Sequence, residues 1–214
     1  MSTDTAPRPP GRPPGPTAKG TSTRRHIVEA AATVFADVGY DKARMSELVA
    51  ATGMTKGAVY FHFDSKESLG VAVLEAKHQA WISDVERRLA DTPPGRARLE
   101  ALLPAMLALH SDDPSTWAIS KLNRNLTELP STHASAATLM QRWIDLIGGL
   151  IRDAQLLGEC PDDIDPATAA TVLIGAFDGL KAIHDTVSAT GDSFTAAAEL
   201  LKSMVLAYLC PRVL

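Results

Sequence analysis

Between Thr52 and Lys66 the sequence reads TGMTKGAVYFHFDSK, and within it Thr55, Lys56, Tyr60, His62 and Lys66 supply a hydroxyl, two ammonium groups, a phenol and an imidazole. All five donate hydrogen bonds, and such donors suit a polyanion. A lysine near a helix start reaches guanine O6 and N7, while phenol and imidazole groups donate to phosphate oxygens. Chemistry of the bond-breaking kind finds less support. The chain carries no nucleophile elbow, phosphate-binding glycine loop or His/Glu zinc spacing. The clusters His110, Asp112, Asp113 and Asp162, Asp163, Asp165 adjoin Pro114 and Pro166 and read as loops at helix ends. No enzyme, metal site or cofactor is expected; an all-helical enzyme, or a binding protein without a DNA role, is the alternative class.

These side chains need elements to hold them. Ile27, Ala30, Ala31, Val34, Phe35 and Val38 fall at the i, i+3, i+4, i+7 spacing of one buried helix face, which Gly39 ends. Ser46 is a plausible N-cap for a short second helix that Gly53 closes. Thr55 caps a third running through Phe63, and Asp64 or Ser65 a fourth from Lys66 to Leu89. Helices two and three, joined by ATGMT, form a helix-turn-helix whose second helix would enter the major groove. A glycine-containing helical hairpin alone occurs in many proteins. Here Gly57 and Ala58 are small enough to let the backbone approach a groove, and Val59 and Phe63, at i and i+4, point inward. Tyr60 and His62 are left on the outer sides, with Phe61 expected to wedge against helix one or four. Lys66 adds charge at the start of helix four. Singly, Tyr60 fits equally well as an interfacial core residue and His62 as a solvated histidine; their combination with Lys56 favours DNA.

The segment RRHIVEAAATVFADVGYDKARMSELVAATGMTKGAVYFHFDSKESL closely resembles the head of TetR-family repressors: the I-x-x-A-A-x-x-x-F helix, the G-Y turn, the K-G-[AT]-[LV]-Y-x-H-F core and the S-K-E-x-L start of helix four. By position the resemblance implies DNA contacts at Thr55, Lys56, Gly57, Tyr60, His62 and Lys66, with Arg44 and Ser46 as further phosphate contacts. TKGAVYFHF followed by SKESLGVAVLE is most similar to the γ-butyrolactone receptor branch, which includes butenolide and furan receptors. DDP at 112–114 and the tryptophan of QRWIDLI fall where that branch has them, so Trp143 is expected to stack on a ligand. The implied function is a ligand-responsive homodimeric repressor of a pseudo-palindromic double-stranded DNA operator, released by a small diffusible signal of that type. A regulator answering to an unrelated metabolite or drug is the alternative.

The rest of the chain fits an all-α body. Its 214 residues are 45% hydrophobic and 21% charged, an ordinary globular balance. The net charge of −4 is unevenly spread: residues 1–20 hold three Lys/Arg against one Asp, residues 21–70 hold six against six, and residues 71–214 hold 12 against 18. Domains are therefore expected at 1–20, a disordered Pro/Gly-rich arm able to follow phosphates; 21–66, the helix-turn-helix head; and 67–214, a ligand-binding and dimerisation unit. Further helices are expected near 96–111, 115–128, 134–157, 166–189 and 193–208, about nine in all.

Trp81, Trp117 and Trp143 suit pocket walls as well as they suit core packing. Asn123 near Trp117, Thr171 and Gln79 are weaker pocket candidates. Val172, Ala176, Gly179, Leu180 and Ile183 form one stripe and Leu201, Val205 and Tyr208 a second, the pattern of a subunit interface. Cys160 and Cys210 are expected as reduced packing residues in a cytoplasm. No apolar run reaches the length of a bilayer span, so a soluble cytoplasmic protein is expected.

Overall fold

The computed structural model describes residues 18–112, 117–187 and 191–211, and among them every regular element is a helix. In chain order these are α1 (Ala18–Val38), α2 (Met45–Thr52), α3 (Lys56–His62), α4 (Lys66–Leu89), α5 (Arg96–Asp112), α6 (Trp117–Glu128), α7 (His133–Leu156), α8 (Pro166–Val187) and α9 (Gly191–Leu209). The largest departure from expectation is the start of α1, which takes in the end of the expected arm. Its first turns are mostly exposed and carry no apolar stripe, so periodicity is blind to them. The rest of the arm, 1–17, lies outside the described residues.

Two apolar clusters organise these helices. One gathers Ile27, Phe35, Leu48, Val59, Phe63, Leu69 and Leu74 with Leu122, Leu126 and Leu139. The other gathers Trp81, Val85, Leu102, Met106, Trp143, Ile147, Ile151 and Phe177. Helices α4 and α7 contribute to both, α4 changing over between Leu74 and Trp81 and α7 between Leu139 and Trp143. The three amino-terminal helices are thus joined to the body chiefly through α4, with Leu122 and Leu126 of α6 and Leu139 of α7 packed against them.

The cysteine expectation is overturned. Cys160 and Cys210 form a disulfide, with Cα atoms 4.4 Å apart across 50 residues of chain. Sequence distance misleads because α8 carries the chain away and α9, packed against it, brings it back. Arg96 reinforces the junction: its guanidinium donates to the Cys210 carbonyl and its backbone N–H to Glu159 Oε2 at 2.6 Å. Closing a loop of this length removes denatured-state entropy. Cys210→Ser is expected to lower unfolding free energy by about 2–4 kcal/mol in an oxidising buffer. In a thermal melt with a thiol reductant the variant and parent should converge.

Candidate functional site

The turn between α2 and α3 is built by short-range hydrogen bonds. Gly53 takes φ +66°, a left-handed conformation that other side chains resist. Buried Thr52 donates through Oγ1 to the Val49 carbonyl at 2.7 Å and accepts from the Met54 N–H at 3.1 Å. Thr55 caps α3 by accepting from the Ala58 N–H at 3.2 Å. Val59 and Phe63 are buried, and the Arg24 guanidinium sits 4.9 Å from the Phe63 ring centre.

The opposite side of α3 is open. Thr55, Lys56, Gly57 and Tyr60 are exposed, His62 is half-buried, and Lys56 Nζ lies 5.4 Å from the Tyr60 ring centre. A Cβ at Gly57 would meet no atom within 4 Å, so packing inside this chain does not require the glycine. Phe61 corrects the expectation: it is 85% exposed, wedged against neither α1 nor α4, its ring edge-on to His62 at 5.2 Å. The i, i+4 pair Val59 and Phe63 takes the inward side, which turns Phe61 outward. Four-residue spacing from Gly57 to Phe61 is the signal by which it could have been found.

Arg44 and Ser46 are exposed beside this face. Ser46, however, does not cap α2: the helix starts at Met45, Arg44 is the N-cap residue, and its backbone N–H donates to Glu47 Oε2 at 2.8 Å. The glutamate three residues on decides the start.

Lys66 has partners within the chain that its position alone does not announce. Its ammonium donates to the carbonyls of Tyr40 at 3.0 Å and Ala43 at 3.2 Å, with Asp41 at 3.5 Å, and lies 4.5 Å from the Tyr40 ring centre. These contacts direct it into the turn between α1 and α2. Tyr40 packs 5.3 Å from Phe35, and a Cβ at Gly70 would come within 2.9 Å of its ring and 3.3 Å of Leu126. Burial, with Glu67 and Asp41 nearby, pushes the Tyr40 phenol up to about 12. From the body, Asn125 Nδ2 donates to Asp41 Oδ2 at 2.8 Å. One turn is held by α4 and α6 together.

A second constellation lies where the two apolar clusters meet. Trp81 and Trp143 stack with ring centres 4.8 Å apart and planes at 21°. His78, 2% exposed, stands edge-on to Trp81 at 6.5 Å. Desolvation, and secondarily the Arg142 charge, lowers its pKa from the usual 6.5 to about 4. Sequence reasoning missed this histidine because its neighbours Lys77 and Gln79 are polar; its i, i+3 spacing to Trp81 was the available signal. Asn123 is half-buried with its amide oxygen enclosed. The Trp117 side chain lies outside the described residues. Gln79 and Thr171 do not join this group: both are exposed, Gln79 donating to Ser83 Oγ and Thr171 to the Ala167 carbonyl. Each satisfies its donor within its own helix.

A third surface runs between α8 and α9. Val172, Ile183 and Tyr208 are exposed, while Ala176, Gly179, Leu180, Leu201 and Val205 are half-buried. Exposed Val187, Leu200 and Met204 extend it. Its groove, of about 590 Å³, is walled by Val172, Ala176, Leu201, Met204, Val205 and Tyr208. Among the described residues no His, Cys, Asp and Glu side chains gather to hold a metal ion, and Asp165 Oδ2 accepts from the Thr168 N–H at 2.8 Å at the start of α8.

Residues 27–73, from within α1 to the first part of α4, match the model of the bacterial regulatory proteins of the tetR family. A solved structure described as the molecular basis for control of antibiotic production by bacterial hormones is 31% identical. The match covers 88% of this chain and 98% of that one, with a TM-score of 0.72. The chain belongs to the TetR family. The A-factor receptor protein of Streptomyces griseus is 28% identical over 204 residues, 92% of this chain and 67% of its own length. TylP, a TetR regulator from Streptomyces fradiae, is 27% identical with a TM-score of 0.68, over 90% of this chain and 88% of its own. Like these TetR relatives the protein is a transcriptional regulator, and no described helix is long and apolar enough to cross a membrane.

Two outcomes follow from this geometry. Lys66→Met is expected to cost about 1–2 kcal/mol through the orphaned carbonyls of the α1–α2 turn, read as a lower thermal midpoint without DNA. His78 stays neutral when folded but takes a proton near pH 6.5 when unfolded. Its contribution is therefore complete above about pH 6.5 and is lost as the pH falls toward 4, by about 3 kcal/mol in all. Urea titrations across that window should show the loss in the parent, and His78→Leu should flatten it.

Proposed function

We propose that the protein is a ligand-responsive homodimeric repressor whose α3 helices read a pseudo-palindromic operator and whose body releases DNA on binding a signal of γ-butyrolactone or butenolide type. The observation that carries the DNA half is the open face of α3. Lys56, Tyr60 and Phe61 stand in solvent around a glycine that no intrachain contact requires. Lys56 is assigned to base edges, Tyr60 and His62 to phosphates, and Arg44 and Ser46 to the flanking backbone. Phe61 joins them as an apolar contact for a thymine methyl group. Residues 21–66 act as the head and 67–214 as the sensing and dimerising unit.

The α8–α9 face supports the dimer, because Val172, Met204 and Tyr208 are exposed along one apolar groove. Two heads held about 34–36 Å apart would meet successive major grooves. The A-factor receptor and the bacterial-hormone structure support the ligand class, and the buried Trp81–Trp143 stack is the candidate apolar wall for a lactone. A ligand that prefers another head spacing would weaken DNA binding by its difference in affinity for the two states.

A gel shift on DNA upstream of the protein's own gene should give a band that weakens steeply with salt and disappears on adding an alkyl γ-butyrolactone. Lys56→Ala and Phe61→Ala should each cost about 1–3 kcal/mol and relax sequence preference, whereas Tyr60→Phe should weaken all sites alike. Variants that bind like the parent would overturn the head assignment. Release by an unrelated metabolite, with lactones inert, would overturn the ligand class and leave the repressor intact.

A further inference from the structure

Resting on the reading of the body as the sensing unit, we propose that His78 is the polar anchor of the ligand site. Its imidazole would hydrogen-bond a hydroxyl or carbonyl oxygen of a neutral, otherwise apolar molecule whose hydrocarbon part lies against Trp81 and Trp143.

His78 Nδ1 is buried and meets no donor or acceptor of the protein. A buried polar atom left this way costs about 1–3 kcal/mol, and an aliphatic side chain would fill a purely packing position at lower cost. The imidazole also sits at the changeover between the two apolar clusters, where α4 passes from Leu74 to Trp81 and α7 from Leu139 to Trp143. Helix α6, packed against α4, carries Asn123, whose amide oxygen is also enclosed and unmatched. A waist bounded by apolar layers and supplied with an unmatched buried nitrogen beside the Trp81–Trp143 stack has the composition of a small-molecule site, mostly apolar with a few polar groups that fix orientation.

An approach from outside is available. A groove of about 350 Å³ opens between α4 and α7, walled by Val71, Glu75, Thr138, Leu139 and Arg142. Val71, Glu75 and His78 follow one another at i, i+4, i+7 on a single face of α4, so the groove lies one helical turn from the buried imidazole. Burial keeps the imidazole neutral, so His78 itself offers no charge to balance an ion, and the Arg142 and Glu75 charges stand outside it at the groove. A neutral imidazole nitrogen, by contrast, either donates to a carbonyl or accepts from a hydroxyl, according to its tautomer.

The test titrates the full-length protein with γ-decalactone, 1-octanol, octanoate and octylamine, following tryptophan fluorescence and binding heat. The lactone or the alcohol, or both, should quench the parent, and the two charged probes should bind at least tenfold more weakly. His78→Leu should weaken the neutral probes by about tenfold, the loss of one buried hydrogen bond, without lowering the thermal midpoint at neutral pH. His78→Asn, whose amide stands near the position of Nδ1, should restore part of the affinity. If His78→Leu binds γ-decalactone as the parent does, the anchor falls and the lactone reading stands. If 1-octanol alone binds, and needs His78, the anchor stands and the lactone reading falls. Failure of both neutral probes to bind, or equal binding of the charged ones, overturns the anchor.

Discussion

The orientation of α3 depends on how Tyr40 is seated. The phenol ring occupies the space that the missing side chain of Gly70 leaves on α4, with the Lys66 ammonium against its face and its carbonyl oxygen bound to the same ammonium. Because Tyr40 lies in the turn between α1 and α2, this seat sets the height of the helix pair above α4. Everything the recognition face presents is built on that height. The Asn125 contact to Asp41 adds a tie from α6, so a displacement of α6 relative to α4 reaches the head through hydrogen bonds as well as through packing.

Helices α4 and α7 belong to both apolar clusters, and the boundary between the clusters lies at the same level on each. Close-packed clusters resist continuous deformation, so relative movement concentrates at such a boundary. His78 stands at that level on α4, and Trp143 on α7 begins the next layer. A molecule lodged there would touch both clusters, and any preference it had for one of their relative positions would bias the other end of α4, where Lys66 and Gly70 hold the head.

Much of this was legible in the residues alone. The apolar stripe from Ile27 to Val38, the left-handed glycines and the caps at Thr55 and Ser65 mark helix limits by local chemistry, and local chemistry is what a sequence displays. The intrachain contacts of Lys66 were not legible because its partners are backbone carbonyls more than twenty residues away, which no side-chain pattern announces. Phe61 was misread because aromatic character suggests burial, whereas the turn of α3 gives the inward positions to Val59 and Phe63. The cysteine pair was hidden by the return path of α9, a tertiary event. His78 was hidden by its polarity and its polar neighbours Lys77 and Gln79, from which an exposed position is expected.

The link between Cys160 and Cys210 makes the segment containing α8 and α9 a closed covalent ring. A ring tied at its base has little configurational freedom left to surrender, so the band from Val172 to Tyr208 is shaped before anything docks on it. The tie also anchors the end of α9 to the loop that leads into α8, which fixes the stagger of the two helices. A slip of one turn would be about 5.4 Å, and the tethered base gives no such slack.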